Sequence, residues 1–215
     1  MDNIKFNTYQ LLRNQIYEFF RSQMRKEALK PGDPIAIKQV AQQLGVSRTP
    51  LREALLQLQS EGFVTILPQR GVYINKVGER SIKNIYEILG GLESRVVMGV
   101  FDKIGPIEIA EMRRVNLEMK DEISSGSIYR YYELNVRFHD VILNLSENED
   151  LVNYVRMQKQ KLYDFTSINY GKQWEDRNFL EHEELIRLLE AGDAVKAADY
   201  MRDVHWIYKD PEALS

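Results

Sequence analysis

"VAQQLGVSRTPLREALLQLQSEGF", Val40 to Phe63, reads as two short helices interrupted at a glycine. Gly45 tolerates the left-handed conformation that ends a helix, so the first helix stops there. Ser47 or Thr49 can cap the second, and Pro50 fits its first turn, where a missing N–H is no loss. Leu51, Ala54, Leu55 and Leu58 then recur at helical spacing and predict one buried stripe. A tight turn at Gly45 and Val46 presents the start of the second helix outward. Ser47, Arg48, Thr49 and Arg52 supply donors there for phosphates and base edges. Read as caps and solvated charges alone, these residues would leave the turn, the local basic charge and the segment that follows unconnected.

Working outward, "YQLLRNQIYEFFRSQMRKEAL" places Leu11, Leu12, Ile16, Phe19, Phe20 and Met24 on one face of an amphipathic helix, which "KPGDP" stops. "IAIKQVAQQLG" is the short helix ending at Gly45. "GFVTILPQRGVYIN" forms two β-rich runs around a turn at Leu67 to Gly71, hence a small hairpin. The net charge is -3, but its distribution is uneven. Met1 to Lys76 carries 11 Lys+Arg against 6 Asp+Glu, and the remainder 18 against 26. A basic front joined to an acidic back suits a phosphate-binding module attached to a unit with another task.

Helix, helix, turn, helix and hairpin, with "KPGDPI", "VAQQLGVSRTPLREALLQLQSEGFV" and "PQRGVYI" in place, make Tyr9 to Asn75 resemble the winged helix-turn-helix domain of the GntR family of bacterial transcription regulators. The resemblance implies that Lys38, Ser47, Arg48, Thr49 and Arg52 contact DNA. It implies that Gln69, Arg70 and Gly71 form a wing tip approaching the minor groove. A single recognition helix reads few base pairs, so a homodimer on a palindromic double-stranded operator is expected.

Residues 1–76 are thus expected to form one domain and 77–215 another. After a linker around Lys76 to Glu79, helices are predicted near Arg80 to Ile104, Pro106 to Ser124, Ser127 to Leu145, Glu149 to Tyr170, Gln173 to Ala191 and Asp193 to Lys209. The expected fold is mainly α: the winged helix-turn-helix with its hairpin, then an all-α antiparallel helical bundle. The chain has no cysteine, which excludes disulfides and thiolate metal sites. No apolar run approaches the ~20 residues needed to span a bilayer, and "MDNIKFNTYQ" lacks a signal-peptide core, so a cytoplasmic protein with no membrane partner is expected.

The three histidines, His139, His182 and His205, all fall in the back half on separate predicted helices. "NVRFHD" sets Asn135 and His139 four residues apart on one helical face. Three imidazoles and one oxygen donor suit a divalent ion such as zinc, nickel or manganese. Spacing alone leaves other readings open: ordinary core or surface histidines, a plain metal sensor, or a metal-dependent hydrolase with Glu133, Asp140, Glu181 or Glu183 nearby as a base.

Arg80 to about Tyr208 resembles the FCD ligand-binding domain of the FadR subfamily of GntR regulators. Metal-binding members of that family use Asp and His in "DxxxH", a His in "EH" and a His in the last helix. The chain matches the three histidines and departs at Asn135, a neutral oxygen donor where the family has Asp. "LGGLE" also puts Leu89 where the family's "RxxLE" has an arginine, leaving Arg95, Arg137 and Arg156 as candidate effector-binding residues. The resemblance implies a transcription regulator, not an enzyme, controlled by a small-molecule effector of the carboxylic acid class.

Overall fold

The computed structural model of the chain describes residues 9–26, 28–125, 128–165 and 171–210, with side chains at 9–11, 123–129 and 164–172 left aside. The chain divides into two compact units, the first built essentially from residues up to Val77 and the second from Gly78 onward.

The first unit contains α1 (Tyr9–Arg25), β1 (Pro34–Ile35), α2 (Ile37–Leu44), α3 (Arg48–Ser60), β2 (Val64–Leu67) and β3 (Gly71–Ile74). The expected stripes are its core. Ile16, Phe20 and Met24 of α1 pack with Leu51, Ala54, Leu55 and Leu58 of α3, while Leu12 and Phe19 are partly buried. Gly45 ends α2 in the left-handed region, φ 64°, and the Val46 N–H donates to the Ala41 carbonyl at 3.0 Å to close the turn. The sheet holds one strand more than the expected hairpin. β1 pairs antiparallel with β3, Ile35 opposite Val72, so the strand order is β1-β3-β2. Two residues are too few to show an alternating pattern, and Pro34 is tolerated because the strand lies at a sheet edge.

The second unit is helical: α4 (Glu79–Val100), α5 (Pro106–Ser125), α6 (Ile128–Leu143), α7 (Glu149–Phe165), α8 (Gly171–Glu190) and α9 (Ala194–Tyr200). The helix ends expected at Ser127 and Tyr170 lie outside the described residues. α5 packs on α6 and α8, and α4 on α6 and α9. Two expected helices end early. The first gives way to a 3-10 turn at Phe101–Lys103, and the last does not run to Lys209. It changes after Tyr200 into a π-helical turn, Met201–His205, and the Trp206 N–H closes it on the Met201 carbonyl five residues back at 3.0 Å. This turn lies close against α4. A Cβ on Gly90 would sit 3.1 Å from Trp206 Cβ and 3.2 Å from the Arg202 carbonyl oxygen, so the missing side chain permits the approach.

Candidate functional site

Two groups of residues singled out above occupy distinct settings. In the first unit Ser47 is the N-cap of α3, with extended backbone (φ -71°, ψ 165°), yet its hydroxyl makes no capping hydrogen bond. The hydroxyl is not used as the cap its position allows. Lys38, Ser47, Arg48, Thr49 and Arg52 are all exposed, while Pro50 and Leu51 turn inward to anchor the helix start. Gln69, Arg70 and Gly71 are exposed at the tip of the β2–β3 hairpin, where the Arg70 N–H donates to the Leu67 carbonyl at 3.0 Å. Among the described residues Lys38, Arg48, Arg52 and Arg70 form no ion pair.

In the second unit His139 on α6, His182 on α8 and His205 in the π turn meet in the interior. All three are buried, and one ring nitrogen of each lies within 4.8 Å of the others. The π turn matters here, because its extra residue per turn changes which side chain faces inward at position 205. Asn135, one turn before His139, is 2% exposed, and its Oδ1 is buried without a hydrogen-bond partner.

Two of the three tautomers follow from the partners. Glu93 Oε2 lies 2.7 Å from His139 Nδ1; a carboxylate only accepts, so Nδ1 carries the proton and Nε2 the lone pair. Asn116 donates its amide N–H groups to Glu183 Oε1 at 2.7 Å and to the Phe179 carbonyl at 3.2 Å. Its Oδ1 is thereby oriented to accept from His182 Nδ1 at 3.0 Å, and His182 Nε2 is left buried and unpartnered. Glu181 Oε2 faces His205 Nδ1 in a longer contact of 3.4 Å. His139 and His182 are therefore each backed by an oxygen at Nδ1, the outer support that metal-ligating histidines usually have, whereas His205 Nδ1 is buried without a hydrogen-bond partner.

His139 Nε2 and His205 Nε2 stand 3.2 Å apart. Two nitrogens bound tetrahedrally to one zinc ion at ~2.0–2.1 Å would be separated by about 3.3 Å. A shared cation fits between the two nitrogens at that distance, and in its absence His205 Nε2–H can donate to His139 Nε2. Burial also keeps two of the rings neutral. It pushes His139 down to about 3, against the pull of Glu93, and holds His182 well below the usual histidine range. Neutral imidazoles and an orphaned amide oxygen form a donor set that fits a divalent ion.

Two of the three candidate effector arginines are engaged elsewhere. Arg137 is exposed and pairs with Glu111 at 2.8 Å; Arg156 reaches Asp140 at 3.4 Å and Asn144 at 2.5 Å; Arg95 is exposed. The buried charges beside the cluster are others: Glu93, Glu181 and Lys159. Glu181 is a buried partner of His205, not a solvated helix charge. "LGGLE" and "LEHEEL" both contain the relevant glutamates, but nothing in local spacing shows which histidine each supports.

Comparison with known proteins fits both halves. Residues 12–74 match the model of bacterial regulatory proteins of the gntR family, and residues 84–204 match that of the FCD domain. The chain is 33% identical over 161 residues to the Nta operon transcriptional regulator of Aminobacter aminovorans, covering 74% of this chain and 73% of that protein. It is 30% identical over 190 residues to the HTH-type transcriptional regulator McbR of Escherichia coli K12, covering 86% and 82%. The solved structure of E. coli McbR/YncC shares the fold, with a TM-score of 0.74 at 23% identity over 90% of this chain and 93% of that one. These relatives are regulators, so the hydrolase reading of the histidines falls away. With a winged helix-turn-helix in front and a helical FCD domain behind, the chain belongs to the GntR family of bacterial transcription regulators.

Proposed function

We propose that this regulator binds a palindromic operator as a homodimer and is controlled by a small organic acid bound at or beside a divalent metal ion in the second unit. Asn135, His139, His182 and His205 would hold the ion, with zinc, nickel and manganese as candidates. Bound there, the ion supplies an open, positively charged coordination position for a carboxylate. The observation that carries the reading is the set of three buried imidazoles with ring nitrogens within 4.8 Å of one another, two of them backed at Nδ1 by an oxygen. In the first unit, Ser47, Arg48, Thr49, Arg52 and Lys38 would meet the major groove and its phosphates, and Gln69, Arg70 and Gly71 the adjacent minor groove. A FadR-type arrangement, a division of labour at residues 76 and 77 and a cytoplasmic setting belong to the same proposal. Among the described residues, no helix is long and apolar enough to cross a membrane.

Elemental analysis of the purified chain, thermal shift against a panel of organic acids with and without chelator, and gel shift on promoter fragments form one test. The expected result is about one metal per chain, stabilisation by an acid only when metal is present, and operator binding as a dimer. A plain metal sensor would instead change its operator affinity with the ion alone. A chain that takes up none of the three ions would end the metal reading.

A further inference from the structure

Lys159 on α7 is 1% exposed, and its Nζ stands 2.7 Å from Glu93 Oε1. The other oxygen of the same carboxylate takes the His139 Nδ1 proton. The ammonium also lies 5.5 Å from the centroid of the Trp206 ring, and Trp206 directly follows His205. One cation thus touches the carboxylate that supports His139 and lies beside the ring that adjoins His205. A buried ammonium–carboxylate pair carries a large desolvation penalty, and apolar residues of similar volume commonly stabilise a core as well or better. Fold stability alone does not account for a lysine here.

Charge does. The four donors, Asn135 and three neutral imidazoles, bring no negative charge to a divalent ion. The nearest anions are Glu93 and Glu181, and each already faces a lysine, Lys159 and Lys209 respectively. Lys209 is 14% exposed at its side chain, whereas Lys159 is sealed inside, where charge interactions are least screened. We propose that Lys159 sets the affinity of the metal centre. It holds Glu93 against His139 Nδ1 and cancels the charge that Glu93 would otherwise offer the ion, so the centre binds metal more loosely than its donors allow and leaves the ion's charge for an anionic ligand. This inference rests on the metal reading above.

The test titrates zinc into the chelator-stripped full chain at pH 8 against a chromophoric competitor. Lys159→Met removes the charge, and Lys159→Gln removes it while keeping a donor for Glu93. Both should tighten zinc by roughly tenfold or more, the scale on which outer ligand partners act. The same variants should melt lower without metal, because a buried carboxylate loses its counter-ion. These opposite signs separate a charge-setting role from a structural one, which would weaken zinc binding and stability together. The double variant Glu93→Gln/Lys159→Met carries no buried charge at this point and guards against misfolding of the single variants. Its zinc affinity should stay near wild type, since two cancelling charges leave at once, and a large loss would overturn the proposal. Unchanged or weaker zinc binding in folded single variants overturns the role of Lys159 and leaves the metal centre standing. A wild-type chain that takes up no zinc, nickel or manganese overturns both.

Discussion

The cations around α3 and the wing differ from most arginines of the second unit. In the first unit, Lys38, Arg48, Arg52 and Arg70 stand exposed with no ion-pair partner among the described residues. In the second, Arg113, Arg114, Arg137, Arg156, Arg187 and Arg202 each pair with a carboxylate. A paired arginine has its donor fork occupied, whereas an unpaired one keeps charge and geometry for a ligand outside the chain. Phosphates reward that freedom through counterion release. The acidic unit instead turns its three histidines inward, two of them with Nδ1 held by a buried acceptor. Charge distribution along the chain hinted at two tasks, and the pairing pattern separates the exposed, unpaired cations of α3 and the wing from the paired arginines of the second unit.

The largest test of the inward half is acid. His139 has its folded value depressed to about 3 from an ordinary 6.5, and His182 is depressed in the same direction. The unfolded chain therefore takes up these protons first. Stability is intact above about pH 6.5 and is lost as pH falls toward the folded values, at about 1.4 kcal/mol per pH unit for each imidazole. Glu93, also depressed, adds its loss below its ordinary 4.5. Urea unfolding of the metal-stripped chain should give a plateau from pH 8 to about 6.5 and a fall of several kcal/mol by about pH 4.5. A flat profile across that range would mean that the histidines are not held neutral in the interior.

Next in size is the metal's own contribution. An ion bound only to the folded chain stabilises it by RT ln(1 + [L]/Kd), about 2.7 kcal/mol at a hundredfold excess over Kd. His182→Ala should abolish this zinc-dependent increment, and His139→Ala and His205→Ala should do the same. The increment, not the absolute melting temperature, is the measure, because His182 also stacks on Phe138 at 3.8 Å and its removal costs packing in any case. Asn135→Asp should move the other way, adding an anionic donor and tightening zinc by roughly tenfold.

The cation comparison is then tested directly. Arg48→Ala and Arg52→Ala should each weaken specific operator binding by roughly 1–3 kcal/mol with little change in melting temperature. Arg137→Ala, which removes a paired and exposed cation, should change stability by less than about 1 kcal/mol and operator affinity not at all. Equal effects of Arg52 and Arg137 on operator affinity, measured by titration at fixed salt, would dissolve the distinction between the units.

Much of the first unit was legible because its signals are local. Gly45, Pro50 and the Leu51, Ala54, Leu55, Leu58 stripe each act within a turn or two, and all took the conformation or burial that their chemistry dictates. β1 escaped notice because pairing with β3, not any pattern in Pro34 and Ile35, makes it a strand. In the second unit the three histidines could be picked out as a rare residue type, but their supports could not. Glu93 is 46 residues from His139, and Asn116 is 66 from His182. Helical periodicity says nothing about which side chains meet at such separations. The π turn was hidden for a related reason: close packing of Trp206 and Arg202 on Gly90 accompanies a break in regular α geometry that residue propensities around Met201 do not announce.

The smallest expected effect lies at the wing. Gln69 has φ 61°, the one described residue other than glycine in the left-handed region. It follows Pro68 in a turn closed by the Arg70 N–H on the Leu67 carbonyl, and such a turn favours glycine or asparagine at the third position. Holding glutamine there costs of the order of 1 kcal/mol, which a side chain serving only the fold would not justify. Gln69→Gly should relieve the strain and raise the stability of the first unit, by less than about 1 kcal/mol because glycine also gains freedom in the unfolded chain. Operator affinity should fall slightly at the same time, since an exposed side-chain amide at the wing tip is lost. Stability and affinity moving in opposite directions would show strain retained for an outward contact, in keeping with the unpaired cations of the same unit. A gain in stability with unchanged operator affinity at several salt concentrations would remove Gln69 from the DNA-facing surface and leave Arg70 as the wing's working residue.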